Sequence, residues 1–288
     1  MTLEDCRRHY AQEIRLTACL RSTPLVEAFA RVPREKYLGP GPWRILELAR
    51  SRFGRPPSFF LTEDPSDLYH DVLVAIDVAR KLNNGQPSAL ASWIEALRLQ
   101  AGQRVFHLGC GVGYYTAILA ELVGPGGSVA AIEVLPELAA RARANLSGYP
   151  QVSVQAGDGT DFDPGACDAV LVNAGVTHPD PLWLDRLTES GRIVLPLTTT
   201  SAVAGLPGVM IRIARVPGGF SAEVVSGVAI YSCTTLRDPE MDRQIAAALK
   251  SGALKQMKSL RRDVHDPAET CLVHGRQTCL SALEVPAS

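Results

Sequence analysis

The sequence carries no surplus of charge of either sign. Its 288 residues hold 29 Lys and Arg against 30 Asp and Glu, for a formal net charge of −1. Proteins that track a phosphate backbone usually carry a basic excess, so a nucleic-acid partner is not expected. Basic residues gather only briefly, as at Lys255, Lys258, Arg261 and Arg262, and aromatic residues are not interleaved with basic ones, which counts against an RNA base substrate. No run of about 18 uninterrupted apolar residues occurs, and nothing near Met1 resembles the apolar core of a secretory signal. Neither a membrane partner nor export is expected. The seven cysteines are odd in number, scattered and without a CxxC pair. They read as reduced thiols of a cytoplasmic protein, not as a disulfide framework. Internal repeats and low-complexity tracts are also absent.

What is present is an alternation of elements. Residues 2 to 32 read as helical, with a break at Arg21-Ser22-Thr23-Pro24, where Thr23 can cap and Pro24 can occupy the first helical position. The Gly- and Pro-rich stretch from 39 to 67 reads as an insertion or lid with a short helix at 43 to 51. From residue 86 the pattern turns regular, with strands expected at 105–108, 129–133, 152–155, 169–172 and 192–195 and helices between them. Two β-type runs, 209–216 and 222–231, flank Pro217-Gly218-Gly219 and read as a closing antiparallel hairpin. The expectation is an α/β fold: a doubly wound, mostly parallel, seven-stranded sheet with a closing antiparallel hairpin. Residues 1–85 form a helical cap with the insertion, 86–235 the core, and 236–288 a helix and tail.

Chemistry enters at Gly109-x-Gly111-x-Gly113, between a strand and a helix. Glycines suit a tight turn that a ligand approaches closely, and the N–H groups of the following helix can hold an anion. A nicotinamide fingerprint would want glycine at 114, which is Tyr114; glycine at 113 fits the S-adenosyl-L-methionine variant. Glu133 ends the next strand, 20 residues past Gly113, where a carboxylate can accept both ribose hydroxyls. Gly157-Asp158-Gly159 follows the third strand, where Asp158 can accept the adenine amino group. Asn173 ends the fourth strand beside the switch point. The expected cofactor contacts are His107, Gly109, Gly111, Gly113, Tyr114, Glu133, Val134, Asp158, Gly159 and Asn173. His107 is read as near the cofactor without acid–base work, the alternative being a hydrogen bond to a neighbouring backbone group.

These motifs, together with Val32-Pro33-Arg34-Glu35-Lys36-Tyr37-Leu38, Tyr69-His70-Asp71, Gln86-Pro87 and Gly191-Arg192-Ile193-Val194-Leu195-Pro196, resemble the protein-L-isoaspartate (D-aspartate) O-methyltransferase family. The resemblance runs from about Arg31 to Tyr231. It implies methyl transfer to the free carboxylate of a damaged aspartyl residue, leaving S-adenosyl-L-homocysteine. Two positions depart from the family pattern: Gly85 stands where the family usually has Ser or Thr, and His107 where it has an acid.

A carboxylate is ionised at neutral pH, so it can attack the sulfonium methyl group without a general base. Alignment and exclusion of water dominate. The candidate donors for the acceptor carboxylate are Asn83, Asn84, Gln86 and Ser88, around a probable helix N-terminus. The alternative reading makes the asparagines turn formers and Ser88 a cap. Tyr69, His70, Asp71 and His178 are candidate substrate contacts. The expected partner is a carboxylate-bearing peptide, protein or small molecule; an RNA base methyltransferase and a non-catalytic binding protein are the other readings. His265, Cys271, His274 and Cys279 meet the paired spacing of zinc sites only in part, and the expectation there is tail packing with no metal.

Overall fold

The computed structural model describes residues 1–47, 57–200, 207–233 and 235–286. The chain opens with α1 (Leu3–Thr17), α2 (Thr23–Arg31) and α3 (Arg34–Leu38). A capping box starts α1: Thr2 accepts the Asp5 N–H and Asp5 accepts the Thr2 N–H. The cap of α2 is Ser22, whose hydroxyl accepts the Leu25 N–H at 3.3 Å, one residue earlier than the expected Thr23. An antiparallel ribbon of β1 (Trp43–Leu46) and β2 (Phe59–Thr62) follows, then a 3₁₀ turn at Pro65–Leu68 and a short pair, β3 (Ala75–Asp77) with β4 (Leu82–Asn83).

The helix expected at 43 to 51 is thus corrected for Trp43–Leu46, which pair in register with Phe59–Thr62. Aromatic and β-branched side chains favour a pleated surface, and Ile45 buries against Leu38, Leu68 and Val74. The rest of that expectation, from 48 to 51, lies outside the described residues.

The core runs α4 (Pro87–Leu97), β5 (Arg104–Leu108), α5 (Tyr114–Val123), β6 (Ser128–Glu133), α6 (Pro136–Asn145), β7 (Val152–Ala156), β8 (Cys167–Val172), α7 (Pro181–Arg186), β9 (Leu187–Thr198), β10 (Gly208–Val216) and β11 (Gly219–Val228). A tail of α8 (Pro239–Ser251), β12 (Ser259–Arg261), β13 (Cys271–His274) and β14 (Cys279–Ser281) completes it. One sheet holds ten strands in the order β13-β14-β12-β11-β10-β9-β8-β5-β6-β7. Strands β7-β6-β5-β8-β9 are parallel, and β10 onward is antiparallel. The seven expected strands are β5 to β11, and the tail adds three.

Alternation along β5 sorts side chains to two faces. Val105 joins the cluster that includes Tyr10, Ile14, Phe29, Ile94 and Ile118, while Phe106 and Leu108 join Trp183, Ile193 and Ile245 on the other. Each cluster crosses the segment bounds drawn from sequence: α1 and α2 pack in the first, α8 in the second. The chain reverses its strand order at β5/β8, and ligands of open α/β sheets bind outside the carboxyl ends of strands at such a point.

Candidate active site

From Leu108 the chain turns through Gly109, Gly111 and Gly113 (φ +76°, +56° and +89°) into α5. A Cβ on Gly113 would lie 2.8 Å from Leu146 Cδ1, so glycine there serves packing. A Cβ on Gly111 would meet nothing within 4 Å, so its absence leaves the loop surface open to a ligand. The backbone donors are largely engaged. The Gly109 and Cys110 N–H groups point to Ile132 O, Gly113 N–H to Cys110 O, and Gly111 N–H to Glu133 Oε2 at 2.8 Å. The loop therefore offers close approach more than free donors. Glu133 is buried, its Oε1 accepting the Leu135 N–H at 3.1 Å. With one backbone donor on each oxygen, both oxygens keep a lone pair for a vicinal diol.

His107 is fully buried and stands behind the site instead of lining it. Burial pushes its pKa down to about 3, so the ring is neutral. Its Nε2 accepts Asn173 Nδ2–H at 2.8 Å, which leaves Nδ1–H to donate to Thr116 Oγ1 at 2.9 Å. The imidazole thus orients the Asn173 amide, and Asn173 Oδ1 is buried with no partner in the protein.

A cleft of about 410 Å³ runs from this loop to the β4–α4 turn, within the range of small-molecule sites. Asn83, Asn84, Gly85, Gln86, Trp93, Gly109, Cys110, Gly111, Tyr115, Asn173 and residues 227 to 231 line it. Asn84 is buried and its Nδ2 also lacks a protein partner. Both asparagines line the same cleft, one with an orphaned donor and one with an orphaned acceptor, and buried polar groups of this kind are normally satisfied. Gly85 adopts φ +76°, and a Cβ there would lie 2.8 Å from Leu90 Cδ2. The hydroxyl residue of the family pattern would not fit this backbone without a shift.

Asn83 accepts the Gly85 N–H at 2.9 Å, as a turn former does. Gln86 and Ser88 are both taken by Asp71. The Gln86 amide donates to Asp71 Oδ2 at 3.0 Å, Ser88 N–H to Oδ1 at 2.8 Å and Ser88 Oγ to Oδ2 at 2.6 Å. A carboxylate of the chain itself therefore occupies the N-terminus of α4. The segment bearing Asp71 is pinned by buried Arg34, which donates to Leu68 O (2.8 Å), His70 O (3.2 Å) and Val72 O (2.8 Å).

The other expected residues are spread more widely. Tyr114 turns to the helical cap, with its hydroxyl 3.5 Å from that of Tyr10, while its neighbour Tyr115 reaches the cleft and donates to Gly85 O at 3.2 Å. Tyr69 is buried and bonds Glu35; His70 is exposed beside Glu13. Val134 is exposed just past Glu133. Asp158 accepts from the Thr160 N–H and hydroxyl, both at 3.0 Å. A Cβ on Gly159 would lie 2.2 Å from Leu108 Cδ1. His178 is half-buried away from the cleft, 2.9 Å from Thr177 Oγ1. Tyr115 and Tyr231 also line the cleft without a sequence signal that marks them for it, and so does Trp93, whose helical spacing reads as core or interface. Only the helical phase from Gly113 could have pointed to Tyr115.

The switch-point glycine loop, the strand-end carboxylate and the adjoining cleft define an S-adenosyl-L-methionine-dependent methyltransferase of the doubly wound type. The model of the protein-L-isoaspartate(D-aspartate) O-methyltransferase family matches residues 56–205. A protein-L-isoaspartate O-methyltransferase of Ignicoccus hospitalis is 29% identical over 233 residues, covering 79% of this chain and 96% of that one. Protein-L-isoaspartate O-methyltransferase 2 of an Anaeromyxobacter species is 32% identical over 200 residues, covering 68% and 71%. A solved protein-L-isoaspartate O-methyltransferase superposes with TM-score 0.65 at 20% identity, covering 83% of this chain and 69% of that one. A putative one from Plasmodium falciparum, in complex with S-adenosyl-L-homocysteine, gives 0.59 at 17% identity, covering 78% and 97%. The chain belongs to the protein-L-isoaspartate(D-aspartate) O-methyltransferase family.

Proposed function

We propose that this enzyme methylates the free carboxylate of isoaspartyl residues in peptides and proteins. The observation that carries the carboxyl chemistry is the neutrality of the cleft. Among the described residues that line it there is no Asp, Glu, His, Lys or Arg. Burial pushes the Cys110 thiol up to about 12 and holds the Tyr115 phenol well above the usual phenol range, so neither serves as a base at neutral pH. An amine or hydroxyl acceptor would need a base to take its proton, whereas a carboxylate arrives ionised.

When bound, S-adenosyl-L-methionine supplies an electrophilic methyl group and departs as S-adenosyl-L-homocysteine. Asn173 Oδ1, held by His107, suits the methionyl ammonium, and Glu133 suits the ribose hydroxyls. Asn84 Nδ2 is the donor for the acceptor carboxylate, with Asn83 and Gln86 beside it. Ser88 and Asp71 act through the turn they brace. The apolar flank of Leu73, Ile76, Leu90 and Trp93 strips water from the nucleophile.

A peptide acceptor is favoured by the position of the insertion. Among the described residues of 39 to 67, none lines the cleft, whereas Leu73, Ile76, Ala229, Ile230 and Tyr231 do. The relatives' names point to the same acceptor. No helix among the described residues is long and apolar enough to cross a membrane, and the seven cysteines are free thiols.

The test is incubation with methyl-labelled donor and three acceptor pools: isoaspartyl peptides, matched aspartyl peptides and small carboxylic acids. Base-labile label on the isoaspartyl pool is expected. Label on small acids alone would overturn the acceptor, and bound donor with no ester in any pool would overturn catalysis.

A further inference from the structure

Past α8 the chain returns to the sheet edge farthest from β7 and adds β12, β14 and β13. There His265, Cys271, His274 and Cys279 converge: one nitrogen or sulfur from each lies within 4.8 Å of all the others. We propose that these four side chains form a structural zinc site that fastens the C-terminal strands to one another.

Local geometry aims the four inward. His274 and Cys279 are directly opposed across the β13–β14 ladder, and Cys271 opposes Ser281. Residues three apart on a regular strand point to opposite faces, which would separate Cys271 from His274. A bulge between Cys271 and Val273 cancels that alternation and brings both to the face of Cys279. His265 comes from the preceding loop, with Nε2 3.5 Å from Cys271 Sγ. Its Nδ1 is 2.9 Å from the Asp263 carbonyl, so Nδ1–H donates there and the unprotonated Nε2 faces the cluster. That is how metal-binding histidines are commonly oriented.

Two further observations point to a bound cation. His274 Nδ1 is buried with no hydrogen-bond partner, a state that is costly when nothing satisfies it. The backbone of His274 is meanwhile clamped by Gln244 of α8, which accepts its N–H at 2.6 Å and donates to its carbonyl at 3.2 Å. Cys271 Sγ accepts the Ala268 N–H at 3.4 Å, a contact that favours thiolate.

Two sulfurs and two imidazoles in a compact group select zinc, bound tetrahedrally. Bonds of about 2.0–2.3 Å place tetrahedral ligand atoms roughly 3.3–3.8 Å apart, so closing by about 1 Å suffices. Four protein ligands leave no open position, and the cleft lies at β5/β8, several strands away. The metal is structural. It has something to hold: it ties the loop after β12 to β13 and β14, the short strands that extend the sheet beyond the two ladder pairs of β11 with β12, Phe220 with Leu260 and Ser221 with Ser259.

The test is metal analysis of the full chain, expressed with zinc and desalted under reducing conditions, which should give about one zinc per chain. Cobalt exchanged into the same protein should show intense tetrahedral d–d bands and a thiolate charge-transfer band. Cys271→Ser and Cys279→Ser should lose both metals and melt several degrees lower. Should they fail to fold, His265→Asn, in the loop before β13, should weaken cobalt binding and shift its bands. Native protein without zinc and without cobalt–thiolate bands would overturn the proposal. So would a mapped Cys271–Cys279 disulfide in freshly purified protein.

Discussion

Asp71 grips Ser88 twice, through the serine N–H at 2.8 Å and its hydroxyl at 2.6 Å, and thereby caps α4 across 17 residues of sequence. The anion-binding capacity of this helix end is spent inside the protein, and the unpartnered amide in the turn before it is that of Asn84, which lines the cleft. Asp71→Ala removes a cap and frees three donors, the Ser88 N–H and hydroxyl and the Gln86 amide. It should cost about 1–2 kcal/mol of stability in urea unfolding, with Asp71→Asn losing less. KM for the acceptor should rise more than kcat falls, because the turn carrying Asn84 loosens. A stability unchanged within error would show that the cap contributes nothing.

Asn84 and Asn173 should separate the two halves of the reaction. Asn173→Ala should weaken S-adenosyl-L-methionine binding about tenfold, the effect of one lost hydrogen bond to a charged group. Asn84→Ala should leave that affinity unchanged and lower kcat/KM for the acceptor by a similar factor or more. Equilibrium titration with the cofactor, beside steady-state kinetics, distinguishes the two; interchanged effects would reverse the assignment of ends.

Arg34 satisfies three carbonyls with one guanidinium, whose carbon lies 6.0 Å from the ring centroids of both Tyr10 and Tyr114. Arg34→Met strands all three and should cost roughly 3–5 kcal/mol. Arg34→Lys should recover little, since a single ammonium cannot span them. Limited proteolysis should then cut within residues 68–72, which wild-type protein should resist.

The glycine loop makes a paired prediction. Gly111→Ala meets no atoms, so its cost should be near 1 kcal/mol, from φ +56° alone, while cofactor affinity drops sharply. Gly113→Ala collides with Leu146 and should destabilise the fold more than it does at 111. Thermal melting and cofactor titration of the two variants provide the comparison.

His107 should make the protein acid-sensitive. Its folded pKa, about 3, lies below the unfolded value near 6.5, so the unfolded state binds the extra proton. Its contribution is therefore complete above about pH 6.5 and is lost as pH falls toward 3, with a slope of up to about 1.4 kcal/mol per pH unit. Carboxylates held low, such as Asp163 near 2, add their own losses at the acid end. The difference between wild type and His107→Gln isolates the histidine: urea midpoints between pH 4 and 7 should fall less steeply in the variant. Parallel slopes would sink this account.

Much of the core was legible because its determinants are local. The apolar run of 105–108, the turn at Gly109 to Gly113 and the acid at 133 are short-range signals, each tied to one strand end. The same locality placed the hairpin within a few residues. What was not legible depended on packing between distant segments. Trp43–Leu46 carries a short apolar pattern that suits helix or strand, and pairing with Phe59–Thr62 settled it. Tyr114 and Tyr115 are adjacent and chemically alike, and a helical step of roughly 100° sends one to the cap and the other to the cleft.

By itself, then, the sequence determined the doubly wound core, the donor chemistry and the family, because periodicity, glycine placement and strand-end acids act over a few residues. The tertiary structure alone decided which donors remain unpaired. Asp71 claims Ser88 and Gln86, His107 turns Asn173, and a bulge gathers two histidines and two cysteines. Each of these outcomes rests on hydrogen bonds or ladders between segments that spacing along the chain does not relate.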